Sequence, residues 1–205
     1  MVEKEVLKGT TTVGLVFDGG VVVAADKRAT MGHFIAGKSV DKVFEIGDKI
    51  VMTTAGGVGD AQALVRLMKA ELELYKYHSR GPLTVEGAAT LLANVLQGHK
   101  YFPYFVQLIV AGHDGEPRLF DLDLAGGLMP DNVVSTGSGS VTAYGILDEG
   151  FKEKMPQEDA VKLAARAVNA AMRRDSATGE GIDVVCITKG GVKKYSKEEV
   201  KSFLE

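Results

Sequence analysis

The sequence predicts an α+β fold: a four-layer α/β/β/α sandwich whose two sheets are mostly antiparallel and whose helices cover the outer faces. Three observations carry this expectation. Short β-branched runs come in pairs around Asp-Gly, Gly-Asp and Gly-Gly turns, the composition of tight hairpins, so their pairing is antiparallel. Other stretches repeat apolar residues at helical rather than alternating spacing. The order along the chain is strands, two helices, strands, two helices, then strands, and layers of helix outside sheet accommodate that order.

Taken in order, 13–17 and 21–25 are the first paired runs, flanking Asp18-Gly19-Gly20. Depending on which two residues form the turn, the pairing sets Asp26 opposite Thr11 or Val13. The segment 27–41, with Gly32 and Gly37, reads as looser structure. Runs 42–46 and 49–54 form a second hairpin around Gly47-Asp48, with Lys42 opening its first strand. Ala55-Gly56-Gly57-Val58-Gly59-Asp60 ends the fourth strand and opens a helix whose core stripe is Ala61, Leu64, Val65, Met68, Leu72 and Tyr75. Gly81-Pro82 breaks that helix. Thr84 is placed to cap the next one, with Val85, Ala88, Ala89, Leu92, Val95 and Leu96 facing inward and Pro103 ending it.

A third hairpin joins 106–111 to 118–122 around Asp114-Gly115, and Val133-Val134 is a short strand leading into Ser135-Thr136-Gly137-Ser138-Gly139-Ser140. Ser140 is placed to cap a short helix running to about Glu149. Pro156 sits in the first turn of a longer helix, where a missing N–H costs nothing, and Ala160, Leu163, Ala164, Ala167 and Ala171 line one face of it as far as Arg173-Arg174-Asp175. The last hairpin, 183–188 with 192–195, turns at Gly190-Gly191, and a helix from Ser196 closes the chain. No repeat, low-complexity stretch or linker interrupts it, so 205 residues make one domain.

Composition narrows the function. The apolar fraction of 45% and charged fraction of 25% are those of an ordinary soluble protein. A net charge of −3 leaves no basic footprint for nucleic acid or an anionic membrane. The single cysteine, Cys186, forbids an internal disulfide and, within Val184-Val185-Cys186-Ile187, reads as a small buried hydrophobe. No apolar run approaches the roughly 18–20 residues of a membrane span, and the first nine residues lack the apolar core of a secretory signal, so a cytoplasmic protein is expected. His33, His78, His99 and His113 show no metal-ligand spacing and read as surface or loop residues. No cofactor or metal is expected.

The chemistry centres on Lys8-Gly9-Thr10-Thr11-Thr12-Val13-Gly14. Three threonines opening a strand fit ordinary β structure. Gly9, however, puts the least hindered residue on the acyl side of the Gly9–Thr10 bond. Cutting that bond would leave Thr10 with a hydroxyl and a free α-amine, whose ordinary pKa of about 7.7–8.0 suits a general base. One residue could then be nucleophile and base, and the uncut chain would be latent. Gly56-Gly57-Val58-Gly59 lacks the phosphate-loop lysine, and Gln62 stands where a dinucleotide fingerprint needs its third glycine. Its better use is to present backbone N–H groups to developing negative charge. Ser138 lies between Gly137 and Gly139, but Thr136 breaks the G-x-S-x-G pattern. By local sequence alone Lys42 fits a solvated strand start and Asp175 a surface turn, although an acid at a helix C-terminus is mildly unfavourable and points to another purpose.

With Thr10, Asp26, Lys42, Gly56, Ser138 and Asp175 all in view, the chain resembles the proteasome β subunits, most closely the catalytic subunit of archaeal 20S particles. The resemblance runs through Gly-Thr-Thr-Thr-Val-Gly at 9–14, Ala-Ala-Asp-Lys-Arg at 24–28, Ala-Gly-Gly-Val-Gly-Asp at 55–60, Ser-Thr-Gly-Ser-Gly-Ser at 135–140 and Arg-Asp-Ser-Ala-Thr-Gly at 174–179. It implies an N-terminal nucleophile hydrolase fold over 10–205, a propeptide 1–9 removed by autocleavage at Gly9–Thr10, and threonine endopeptidase activity on unfolded proteins. By the same resemblance Thr10 is the nucleophile, Asp26 and Lys42 the charged pair beside it, Ser138 and Asp175 the partners of its amine, and Gly56 the oxyanion donor. Thr30 and Val58 would pair with substrate backbone, and Thr54 would floor the first specificity pocket, favouring neutral or hydrophobic residues. Thr178 departs from the serine common in the family but keeps its hydroxyl. Implied partners are other β subunits in a heptameric ring, capping α rings and an ATP-dependent unfoldase. Rival readings are a subunit of the bacterial two-ring protease of the HslV type, a non-catalytic ring subunit, and a small-amide hydrolase on the same fold.

Overall fold

A computed structural model describes residues 9–79, 81 and 83–205; the expected propeptide up to Lys8, and Pro82 of the helix break, lie outside them. The chain runs β1 (Thr11–Phe17), β2 (Gly20–Asp26), β3 (Ala29–Met31), β4 (Phe34–Gly37), β5 (Val43–Gly47), β6 (Ile50–Gly56), α1 (Val58–His78) and α2 (Val85–Gly98). It continues through β7 (Val106–His113), β8 (Pro117–Leu122), β9 (Leu128–Pro130), β10 (Val133–Gly137), α3 (Ser140–Gly150), α4 (Gln157–Met172), β11 (Ile182–Thr188), β12 (Gly191–Lys194) and α5 (Lys197–Ser202). The strands form two five-stranded sheets, β10-β1-β2-β11-β12 and β5-β6-β7-β8-β9, with β3 and β4 as a separate hairpin. Every pairing described is antiparallel.

Three apolar clusters separate four layers. Val13, Leu15 and Phe17 of β1 pack with Ala160, Ala164 and Val168 of α4 on the outside of the first sheet. Met52, Leu108 and Val110 pack with Leu64, Met68, Leu92 and Leu96 of α1 and α2 outside the second. Val21, Val23, Val51, Ile109 and Leu119 fill the space between the sheets. Strands covered on both faces have no solvated side, which is why β2 and β7 read as continuous apolar runs rather than alternations. Gly14 serves the close approach of the sheets, since a Cβ there would lie 2.8 Å from the Leu119 side chain. The layered α+β sandwich expected from the sequence is therefore the fold.

Several local expectations are corrected. The looser segment 27–41 contains the β3–β4 hairpin, whose tip residues Met31 and Phe34 are exposed and so left no apolar pattern to read. Lys42 lies just before β5 rather than within it. Tyr75 leaves the core stripe of α1 and is exposed. Helix α2 stops at Gly98, well before Pro103, with His99 as its C-cap. Gly139, not Ser140, occupies the N-cap of α3, and Pro156 is the N-cap of α4 rather than a member of its first turn. β9 was too short to announce itself. His113 is buried at the end of β7, not on the surface. Thr84 caps α2 by accepting from Gly87 N, and Ser196 with Glu199 forms a full capping box on α5. No helix among the described residues is long and apolar enough to cross a membrane.

Candidate active site

The β1–β2 register, Thr12 opposite Ala25, brings Asp26 to Thr11, the first of the two alternatives left open by the turn. Asp26 is fully buried and accepts four hydrogen bonds. Oδ1 takes Lys42 Nζ at 2.7 Å and Thr11 N at 3.0 Å; Oδ2 takes Arg28 N at 3.0 Å and Gly179 N at 2.9 Å. Lys42 reaches this carboxylate from the lead-in to β5 and is itself buried. Desolvation pushes its pKa below the ordinary lysine value, and the charge and hydrogen bond of Asp26 oppose that shift.

Thr10 is 3% exposed. Its hydroxyl donates to the carbonyl oxygen of Gly9, and its backbone N donates to Ser138 Oγ at 3.3 Å. Ser138 carries one hydroxyl proton, and the 2.5 Å contact to Asp175 Oδ2 claims it ahead of the 3.4 Å contact to Thr10 O. Thr178 Oγ1 also donates to Asp175 Oδ2, at 2.5 Å, so Thr11 Oγ1 is the donor in the 2.8 Å contact between the two threonines. Ala177 N completes the carboxylate at Oδ1, 3.1 Å away. These bonds explain an acid placed just beyond the end of α4. Gly137, at φ +90°, could carry no side chain here, because a Cβ would sit 2.1 Å from Thr10 O.

The end of β6 supplies the facing wall. Gly57 N bonds Phe105 O of the β7 side, whereas Thr54 N bonds Lys42 O on the β5 side. Backbone N–H groups alternate along a strand, so Gly56 N–H points to the β5 side. There β5 has already ended, since its last residues toward this end are Val43 and the preceding Lys42. Gly56 thus turns a donor into a pocket lined by Gly9, Thr10, Thr30, Lys42, Thr54 and Val58. Its φ of +113°, and the 2.1 Å that would separate a Cβ from Phe105 O, restrict this position to glycine.

All the residues singled out in the sequence therefore meet at one end of the sandwich, in two groups: Thr10, Asp26, Lys42, Ser138, Asp175 and Thr178 in the polar network, and Thr30, Thr54, Gly56 and Val58 along the pocket. The structure adds others. Arg28 donates to Ser176 O at 2.6 Å and pairs with Glu180, holding the loop that carries Thr178. Lys27, 2.6 Å from Asp183 and 3.3 Å from Asp41, ties the residue before Lys42 to β11. Both lie in the quoted Ala-Ala-Asp-Lys-Arg run, which was the available signal. Val40 and Phe44, on the pocket wall, had none. Among the described residues no cluster of His, Cys, Asp or Glu is built to hold a metal ion.

Comparison with known proteins finds relatives along nearly the whole chain. The model of the family described as "Proteasome subunit" matches residues 6–187. Proteasome subunit beta of Archaeoglobus profundus is 51% identical over 99% of this chain and 95% of its own length, and that of Archaeoglobus fulgidus 50% identical over 100% and 97%. Proteasome subunit beta 2 of Pyrococcus furiosus is 49% identical over 98% of each chain. A layered sandwich of this topology, a threonine at the head of β1 inside a buried polar network, and similarity at this level along nearly the whole length lead to one assignment: the chain belongs to the proteasome subunit family, as a relative of the archaeal β subunits.

Proposed function

We propose that the chain is a catalytic β subunit of a 20S-type proteasome core, a threonine endopeptidase that cleaves its own Gly9–Thr10 bond and then hydrolyses unfolded polypeptides. The observation that carries this reading is the setting of Thr10. Its hydroxyl lies against the Gly9 carbonyl, its nitrogen donates to Ser138, which is bonded in turn to Asp175, and the pocket it lines also holds Lys42 and Gly56.

In the uncut chain Thr10 N is an amide and cannot act as a base. Attack of Thr10 Oγ1 on the Gly9 carbonyl carbon breaks the C–N bond, and the hydroxyl proton passes to the departing nitrogen. An ester joins Gly9 to Thr10 Oγ1 until water hydrolyses it, releasing the Gly9 carboxylate. The freed amine then takes the hydroxyl proton as Oγ1 attacks a substrate carbonyl. The oxyanion is met by Gly56 N–H, a contact worth roughly 2.7–4 kcal/mol where such donors have been removed. The amine next protonates the leaving nitrogen, and water releases the acyl group. Lys42 in its ammonium form favours loss of the hydroxyl proton, and Asp26 holds it in place. Thr30 and Val58 flank the pocket where an extended peptide could add as a strand, and the Thr54 floor suits neutral or hydrophobic side chains.

Assembly follows from the same reading: heptameric rings of β subunits, α rings on either side and an ATP-dependent unfoldase feeding them. Similarity to proteasomal β subunits over 95% or more of both chains supports this over the HslV-type reading. The test is co-assembly with α subunits followed by intact-mass measurement and N-terminal sequencing. A new terminus at Thr10 in the wild type, with Thr10→Ala assembled but unprocessed and without peptidase activity, is the expected result. A Thr10→Ala particle that still cleaves peptides removes the nucleophile assignment.

A further inference from the structure

The two halves of the site come from different sheets. Thr10 stands at the head of β1 in the first sheet, whereas Gly56 and Thr54 end β6 in the second. Their relative position is set by how the sheets are pinned at this end, and the residues that do so lie one layer deeper. On β1, Val13, Leu15 and Phe17 face the helices, so Thr12 faces the second sheet. On β6, Thr53 shares a face with Val51, which belongs to the inter-sheet cluster, and on β10 Thr136 shares a face with Val134 of the same cluster. Thr53 Oγ1 donates to Thr12 Oγ1 at 3.1 Å, and Thr12 Oγ1 lies 2.6 Å from Thr136 Oγ1. Thr12 Oγ1 is thus the shared member of a three-hydroxyl chain, accepting from Thr53 and bonded to Thr136. All three are at most 4% exposed.

Valine has nearly the volume of threonine and would suit a layer otherwise built from valine, isoleucine, leucine and alanine. Three adjoining hydroxyls here do something that packing does not require: they give the interface direction and a fixed distance. Thr12 is two residues from Thr10, and Thr53 three from Gly56. Among the bonds that also cross at this end are Lys42 to Asp26 at 2.7 Å and Gly137 N to Gln107 Oε1 at 3.2 Å. The first positions the charged pair and the second the Ser138 turn. Of the three, the Thr53–Thr12 bond joins the strands that bear the nucleophile and the oxyanion donor.

We infer that Thr53 is a positioning residue, which through Thr12 holds the Gly56 N–H in register with the Thr10 hydroxyl. This rests on Thr10 being the nucleophile. The test compares the wild type, Thr53→Val, Thr53→Ser and Thr10→Ala, each assembled with α subunits, by steady-state cleavage of a fluorogenic peptide and by thermal melting. Thr53→Val is expected to lower kcat about tenfold, a fraction of the 10²–10³ lost when an oxyanion donor is removed outright, with KM changed less than twofold. Thr53→Ser, which keeps the donor, restores kcat to within about twofold of wild type. Thr136→Val, which removes the far end of the hydroxyl chain, carries the same expectation should Thr53→Val fail to assemble. An unchanged kcat in the valine variants, or Thr53→Ser impaired as much as Thr53→Val, overturns the inference while leaving Thr10 as nucleophile. An active Thr10→Ala overturns both.

Discussion

Replacing Asp26 by asparagine keeps shape and volume and removes only charge and half the accepting capacity, so its cost can be worked from the contacts. Four donors converge on this buried carboxylate: Lys42 Nζ and Thr11 N on one oxygen, Arg28 N and Gly179 N on the other. An amide offers one oxygen. If that oxygen stays on Lys42, the new NH2 group faces the N–H groups of Arg28 and Gly179, and donor meets donor. Breaking one partner of a buried ion pair costs about 3–5 kcal/mol, and each buried N–H left unmatched about 1–3 kcal/mol. These contributions overlap, so about 5 kcal/mol is the expected loss for Asp26→Asn, comparable with the lower end of whole-domain stabilities of about 5–15 kcal/mol. Lys42→Met leaves Asp26 its three backbone donors, so the remaining charge is not uncompensated and the cost falls below that range, to about 2 kcal/mol. The double variant removes the stranded ammonium as well, so the two losses should fall short of additivity by about 2 kcal/mol. Urea unfolding of the four purified chains measures this cycle. A loss under about 1 kcal/mol for Asp26→Asn, or additivity within about 0.5 kcal/mol, would refute the coupled pair.

Two further outcomes follow from single contacts. A Cβ at Gly9 would lie 2.2 Å from Thr30 Oγ1 and 2.8 Å from Ala177 Cβ, so Gly9→Ala is expected to slow self-cleavage at least about tenfold, while chains already starting at Thr10 show normal kcat; equal processing rates in a mass-spectrometric time course would contradict the packing argument. Cys186 is buried, which pushes its thiol from an ordinary 9.0 up to about 11. The folded form then keeps its proton where the unfolded chain loses it, so this contribution is intact below pH 9 and is lost as pH rises toward 11, by up to about 2–3 kcal/mol. Cys186→Val should flatten the stability decline across that window, and parallel curves for the two proteins would count against it.

The parts of this site legible in the sequence were those fixed by local geometry. A hairpin turn of known composition brings Asp26 back to the threonines, and a glycine-rich strand end ahead of an apolar helical stripe marks Gly56. Lys42 was different. By local pattern it is a solvated lysine, and only its 2.7 Å contact with a carboxylate from the other sheet accounts for its burial. Asp175 likewise reads locally as a surface turn, and its partners Ser138 and Thr178 arrive from a distant strand end and from its own loop. Such contacts depend on how layers stack, which periodicity along one strand does not encode; in the sequence only the family resemblance points to them. The β3–β4 hairpin went unread for the opposite reason, because a half-exposed ribbon lacks the buried face that would give its residues an alternating pattern. Pro103 misled because α2 ends at Gly98, with His99 N bonding back to Leu96 O, before the proline is reached.

The division of the site between two sheets bears on the proposed latency. Thr10 heads a strand of the first sheet, but the Gly56 donor, the Thr54 floor and Lys42 arrive with the second. An incompletely closed sandwich would hold a threonine next to Gly9 with neither a donor for an oxyanion nor a cation beside the hydroxyl, and peptide bonds in that state are inert. Self-cleavage on this reading can occur only after the inter-sheet layer of Val51, Ile109 and their neighbours has packed. The same layer carries Thr53 and Thr12, so on this reading the contacts that close the fold would also align the chemistry. A buried, fully partnered carboxylate such as Asp26 adds to that coupling, since its four donors come from Thr11, Arg28, Gly179 and Lys42 and cannot all be present until β1, β2, the loop before β11 and the lead-in to β5 have converged. Folding and activation would then be successive readings of one event, with the Gly9–Thr10 bond as its reporter.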